Sequence, residues 1–307
     1  MPLFDRVVEL TIGQEGGKGV TITDLRISFS IEKGATKNPN KCTCRIYNMS
    51  KATRELVQVV GNVLILKAGY RQDIGAQTIF TGTITRYLTV KEGPDWVTEL
   101  EMMDGLLEFR DAKVSVSFAP GVQAVDVLRN VAGKFNLPVR TLPENIAPLQ
   151  YPDGFAFVGR VREAMDKVCE YMGLEWSIQD REVQILQKGG VFKQKAIVLS
   201  SDTGMIGSPE QEAKTMTDKA AAKEGITKTQ KGVQTTYKLD KDGNKQERLR
   251  VLGYRVKSLL QPTLQPGGYV QIKSIGIDGE FFRIERLVHN GDNLGGEFLT
   301  ELTLRFV

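Results

Sequence analysis

The stretch Asn40–Gly82 constrains this chain more than any other. Cys42, Cys44 and Ile46 alternate with Thr43, Arg45 and Tyr47, a period of two that suits a strand with one buried face. Asn48 interrupts the alternation. Ser50 stands where its side chain can cap a short helix with Leu56, Val59 and Val60 as its apolar side and Gly61 as its stop. The apolar run Val63–Leu66 reads as a buried strand ending at Ala68-Gly69-Tyr70, and a polar turn, Arg71–Gln77, leads back into a strand over Thr78–Thr85. The result is strand, short helix, strand, turn, strand: a sheet with one helix packed on it. Of Gly69 and Gly82, beside Tyr70 and Phe80, at least one is expected to hold a positive φ or a close backbone approach that a Cβ would obstruct.

The order RIYNMS, KATREL, LKAGY and IFTGTIT resembles the first tube-like domain of the baseplate hub proteins of contractile-tailed phages. That domain type also occurs in type VI secretion spike proteins. The matching positions are Asn40, Asn48, Gly69, Tyr70, Phe80 and Gly82. The last fifty residues resemble the closing segment of the same family through Pro262, Pro266, Gly267, Gly279, His289, Gly291 and Asp292.

The alternation extends in both directions. Val8, Leu10 and Ile12, then Leu25, Ile27, Phe29 and Ile31, read as two strands of a hairpin about Gly16-Gly17-Lys18-Gly19. Asp95–Met103 alternates again and ends in a turn at Asp104-Gly105. About six strands and one helix thus form a compact barrel or sandwich. The period then changes. Val122, Val125, Leu128, Ala132 and Phe135 share one side of a helix that stops before Pro138. Val161, Ala164, Met165, Val168, Cys169 and Met172 form an apolar stripe ended by Gly173, and a hairpin follows over Leu174–Leu186 with its turn at Gln179–Arg181. From Ile197 the alternation returns, with closing strands over Tyr269–Ile275, Phe281–His289 and Phe298–Val307. Between them lies a polar, lysine-rich arm. Ser208, Pro209 and Gly225 suggest a helix of exposed residues, and Asp242-Gly243 marks a hairpin flanked by Val233–Leu239 and Gln246–Leu252. An arm so poor in large apolar residues needs a neighbour to order it.

The chemistry is sparse. His289 is the only histidine of the chain, so a Ser-His-Asp triad or a multi-histidine metal site would depend on this one residue. A base oriented by Asp292 is the functional reading; a turn residue making local hydrogen bonds is the reading taken. Cys42, Cys44 and Cys169 lack a CxxC or HxH companion and read as buried small hydrophobes. The glycine-rich Gly16–Gly19 turn has no helix behind it to hold a phosphate. Glu99, Glu101 and Glu285 alternate with apolar residues, as solvated strand faces do. Trp96 and Trp176 lie in alternating strands and read as core or interface residues, not as platforms for a carbohydrate-binding module. The net charge of +4 over 307 residues does not call for nucleic-acid binding. No apolar run is long enough to span a bilayer, and the start MPLFDRVVEL lacks a secretory signal, so synthesis in a cytoplasm is expected. No catalytic, cofactor-binding or metal-binding residue, and no cofactor, is assigned.

The expected fold is mainly β: two tail-tube-like β-barrel domains, 1–112 and 196–307, flank a smaller α+β domain, 113–195, and the second barrel carries the projecting arm 208–250. The resemblance implies a structural, non-enzymatic baseplate hub in a virion tail, assembled in the host cytoplasm. It implies a homotrimeric, pseudo-sixfold ring that adapts a trimeric spike to a hexameric tail tube and lets DNA pass. Its partners would be the spike or tip protein, the tail tube or its initiator, and other baseplate proteins, with no membrane insertion by this chain. Two alternatives stay open: a peptidoglycan-degrading baseplate enzyme, and a spike or tube component of a contractile secretion system or tailocin.

Overall fold

The computed structural model describes residues 5–17, 19–192, 195–216, 235–239 and 245–307. They are mainly β with few helices. Strands β1 (Arg6–Gly13) and β2 (Gly19–Ile22) form an antiparallel hairpin with Leu10 opposite Ile22. This corrects the expected hairpin, because β3 (Ile27–Gly34) pairs instead with β4 (Lys41–Tyr47). The reason is length: β2 buries only Ile22, too little alternation to show in sequence, and it takes the place beside β1.

Helix α1 (Lys51–Val57) is capped as expected, with the Ser50 hydroxyl accepting from the Thr53 N–H at 3.1 Å. Its apolar side is not the expected one. Val57 alone is buried, while Leu56, Val59 and Val60 are exposed by 60%, 42% and 60%. The helix is about two turns long and closes at Gln58, so Val59 and Val60 lie beyond it; Gly61 (φ 96°) donates to the Ile84 carbonyl and redirects the chain. Strands β5 (Val63–Tyr70), β6 (Gly75–Glu92) and β7 (Asp95–Met103) complete the first part. β6 does not end at Thr85. A bulge there lets it run on beside β7, with Thr89 opposite Thr98. Both glycines singled out are closely approached at ordinary φ. A Cβ at Gly69 would overlap the Gly75 carbonyl oxygen, and one at Gly82 would lie 2.6 Å from the Phe80 ring and 2.8 Å from the Met103 carbonyl oxygen.

The middle of the chain begins with α2 (Leu106–Asp111), where the sequence shows only a turn. Next come β8 (Lys113–Phe118), β9 (Val122–Gln123), α3 (Ala124–Gly133), β10 (Val139–Thr141), β11 (Gln150–Tyr151) and β12 (Phe155–Arg160). Helix α4 (Val161–Met172) buries the whole predicted stripe and stops at Gly173 (φ 67°). Strands β13 (Leu174–Gln179) and β14 (Glu182–Gln187) pair across Asp180-Arg181, both left-handed (φ 54° and 65°), as a two-residue hairpin turn requires. Trp176 packs on Phe135 with ring centroids 5.3 Å apart, inside a core supplied by α3, α4 and this hairpin.

The last part holds β15 (Ile197–Leu199), β16 (Met205–Met216), β17 (Thr235–Leu239), β18 (Lys245–Leu259), β19 (Tyr269–Ser274), β20 (Ile277–Asp292) and β21 (Phe298–Phe306). The helix expected from Ser208 is a strand as far as Met216; the remainder to Gly225 lies outside the described residues. Gly207 (φ 71°) and Pro209 sit at a bulge between Ile206 and Glu210, where a proline costs no ladder hydrogen bond. Asp242-Gly243 also lies outside the described residues, but β17 and β18 pair antiparallel on either side of it.

One 14-stranded sheet contains most of these strands, in the order β16-β18-β21-β20-β3-β4-β7-β6-β5-β1-β2, with β15, β17 and β19 joining at the side. The first and last parts of the chain meet where β20 pairs with β3, Asn290 opposite Ser30. Beneath the sheet lie one core built on β1–β7 and a second built on β15–β21; the helical middle has its own.

Candidate functional site

Each residue weighed for chemistry has a structural place. His289 lies within β20, not in a turn as expected, and is fully buried; its Nδ1 is 2.9 Å from the Thr300 hydroxyl on β21. Burial first, then the charge of Lys33, lowers its pKa to about 3, so the ring is neutral. Asp292 does not orient it. That carboxylate takes the Arg26 guanidinium at 2.8 Å and the N–H groups of Leu294 and Gly295; burial alone would push its pKa up, but these donors outweigh it and hold it low. Cys42, Cys44 and Cys169 are free, buried thiols, and burial pushes Cys44 and Cys169 up to about 12. They are inert. Trp176 is core, whereas Trp96 is 46% exposed under the Arg54 guanidinium. Among the described residues no group of His, Cys, Asp or Glu could hold a metal ion, and no helix is long and apolar enough to cross a membrane.

A polar junction that sequence reasoning missed joins the middle of the chain to the sheet. The β13–β14 turn inserts Asp180 beside Lys33, whose Nζ donates to it at 2.6 Å with only 2% of the lysine side chain exposed. Asp104 accepts from the N–H groups of Asp180 (2.6 Å) and Arg181 (2.7 Å). Asn40 donates to the Ile178 carbonyl (3.0 Å) and to Gln179 (2.9 Å) while its Oδ1 accepts from the Gly34 N–H. Burial, then the nearby Asp180 charge, raises Asp104 to about 6 despite Lys33 and the two N–H donors. A second contact pairs Glu175 of β13 with buried Arg283 of β20. The middle therefore grips the centre of the sheet through charge, once on β3 and once on its neighbour β20. No sequence signal marks this, because Lys33 and Asp180 are 147 positions apart.

The feature with the widest reach is the outer face of the sheet from β16 to β6. On every strand the residues that alternate with the core point here, and charges of opposite sign meet across the ladders. Arg45 on β4 pairs with Glu92 at 2.5 Å and lies 3.9 Å from Glu99 on β7, while Arg86 on β6 pairs with Glu101. Arg286 on β20 meets Glu32 on β3 at 2.7 Å, and Lys257 on β18 meets Glu301 on β21 at 2.9 Å. Glu212 on β16 holds Arg305 at 2.6 Å and Arg255 at 3.5 Å. Between the pairs stand hydroxyls and amides, including Ser30 bonded to Asn290 at 2.8 Å. The face is hollowed at its centre: cavities of about 540 and 430 Å³ are lined by β16, β18, β20, β21, β3 and the Thr36–Lys41 loop.

The family model for baseplate hub gp41 matches residues 7–219. The chain belongs to this baseplate hub family. The hub is thus a structural protein of a phage tail. No curated protein matches its sequence. Solved structures agree on the fold. The 43 kDa tail protein of prophage MuSo2 from Shewanella oneidensis is similar with a TM-score of 0.56 at 10% identity, over 97% of this chain and 98% of that one. A tail protein from Neisseria meningitidis MC58 follows at 0.54 and 14%, over 98% and 97%. The E. coli c3393 protein, a component of the type VI secretion system with structural similarity to T4 bacteriophage tail proteins gp27 and gp5, gives 0.53 at 9%, over 97% and 76%. At such identities these likenesses speak for the fold alone, and the hub assignment rests on the family match.

Proposed function

We propose that the hub works as a homotrimeric, pseudo-sixfold ring in the tail baseplate. Residues 1–112 and 196–307 of each chain serve as two tube-like β domains, and 113–195 as an α+β domain outside the ring or toward the spike. The ring adapts a trimeric spike or tip protein to the hexameric tail tube or its initiator and encloses the path of DNA. One observation carries this reading: the β3–β20 ladder makes the two β-rich parts one sheet with one shared outer face. Three such chains place six similar units around an axis, which a trimer-to-hexamer junction needs. The sheet path ends at β2 and β16, and unpaired strand edges are where another chain adds. The work is done by edges and faces, so no catalysis is required, and assembly in the host cytoplasm into the virion tail needs no membrane insertion by this chain.

The test is light scattering on the purified hub across a concentration series, with and without its spike protein, joined to averaged electron images. A threefold ring with contacts on the order of 2,000 Å² or more is expected. A ring of six chains, or a particle holding an isolated monomer, overturns the reading. A peptidoglycan zymogram of the same protein is expected to show no clearing.

A further inference from the structure

We propose that the outer face from β16 to β6 is the surface along which duplex DNA travels, and that its glutamates are there to mask its arginines and lysines from phosphate. This deepens the ring reading and rests on it for the presence of DNA. Arg45, Arg86, Arg255, Lys257, Arg286 and Arg305 all project from one hollowed face, and a stripe of this kind is the ordinary footprint of a DNA-binding protein. Here each of these cations already has a carboxylate one or two strands away, within 4 Å, while Lys41, opposite Glu32 in the β3–β4 register, lines the same hollow without an ion pair among the described residues. The pairs are cross-strand, so the register of the sheet sets them. Solvated pairs of this sort add little to stability. Their consequence is electrostatic: a phosphate approaching any of these cations meets a carboxylate beside it and releases few counterions.

The aromatic ring at this margin is also occupied. Tyr47 has the Arg26 guanidinium over it at 4.5 Å and Arg45 at 5.7 Å, so it offers no free platform for stacking. Hydroxyl and amide groups fill the intervals and can exchange water with passing phosphates. A wall of this composition stays wet and polar yet holds no grip on a polyanion. A wall of bare arginines would retain DNA, and one of bare glutamates would repel it from the channel.

The experiment is fluorescence anisotropy with a mixed-sequence duplex of about three helical turns, on the full-length hub. The wild type is expected to give no shift at about 10 μM protein in about 50 mM salt. The variant Glu99→Gln/Glu101→Gln/Glu212→Gln/Glu301→Gln keeps side-chain shape and frees arginines and a lysine; it is expected to bind. With roughly four cations released, its affinity should fall on the order of 100-fold between about 50 and 200 mM salt. A control with the same change in net charge away from the face, Glu55→Gln/Glu163→Gln/Glu170→Gln/Glu280→Gln, is expected to behave as wild type. Adding Arg86→Gln and Lys257→Gln to the binding variant should weaken its binding, which also guards against a misfolded variant giving a false signal. Equal binding by wild type and the face variant, by face and control variants, or by neither, overturns the masking. A single chain carries the whole face, so this outcome does not depend on ring formation. Light scattering on the same samples reports the ring, and either reading can fail without the other.

Discussion

At the scale of single residues, buried ionisable groups make the fold respond to pH in two opposing ways. His289 is neutral in the fold with its pKa lowered to about 3, against about 6.5 in an unfolded chain. Its contribution is fully present above about pH 6.5 and is lost as pH falls toward 3, with a slope of up to about 1.4 kcal/mol per pH unit. Asp104 is raised to about 6, so its contribution is present below about pH 4 and is lost as pH rises through 6. The two partly cancel between pH 4 and 6. Melting curves from pH 7 to 4 should therefore show a flatter acid loss for His289→Gln and a steeper one for Asp104→Asn. The Lys33–Asp180 pair beside them is shielded from solvent, and removing the cation leaves two buried carboxylates unbalanced. Lys33→Met is expected to cost about 3–5 kcal/mol in a urea titration. A cost under about 1 kcal/mol would mean that water reaches the junction.

At the scale of elements, two features decide how the strands run. At Gly82 the strand β6 lies so close to the Phe80 ring and to Met103 of β7 that a side chain has no room. Gly82→Val should destabilise by about 1–3 kcal/mol in the same titration. The lysine-rich arm divides differently from its appearance in sequence. β16 belongs to the sheet, with Glu212 tied to Arg305 and Arg255, while β17 touches only the far half of β18, from Lys245 to Arg250. Replacing 217–244 by a short glycine turn should lower the melting temperature by less than about 3 °C, because a lone hairpin adds little. Deleting 209–247 removes Glu212 and most of the β16 ladder and should lower it several-fold more. Hydrogen exchange completes the test: the β17–β18 amides should exchange fast in the free hub and slowly in the assembled particle.

At the scale of the whole molecule, one sheet spans both β-rich parts, and the middle of the chain is fastened near the join between them by a buried charge on each side. Lys33–Asp180 and Arg283–Glu175 lie on opposite sides of the β3–β20 join. If the ring forms only from folded chains, its melting temperature must rise with protein concentration, since association stabilises by mass action. A tenfold dilution series read by scanning calorimetry should show this rise. A concentration-independent transition over a range in which light scattering reports trimer would mean that the contacts add nothing to the fold.

Much of this was legible in the residues taken in order. Alternation placed β4, β7 and β21, the 3.6-residue stripe placed α4, and Ser50 and Gly173 marked a helix start and a helix stop, because each of these signals is local and repeats over several residues. Short elements were not legible: β2 and α2 repeat too few times to declare a period, and Pro209 reads alike at a helix start and at a bulge. Glu99 and Glu101 could be seen as solvent-facing, but not as partners of Arg45 and Arg86. The pairing of β3 with β20 and of Glu212 with Arg305, and the seating of Asp180 against Lys33, were decided only by the tertiary structure. Side-chain period reports which face is buried and nothing about which strand lies alongside; that choice depends on how the cores pack, and the charged face exists only once the strands are in register.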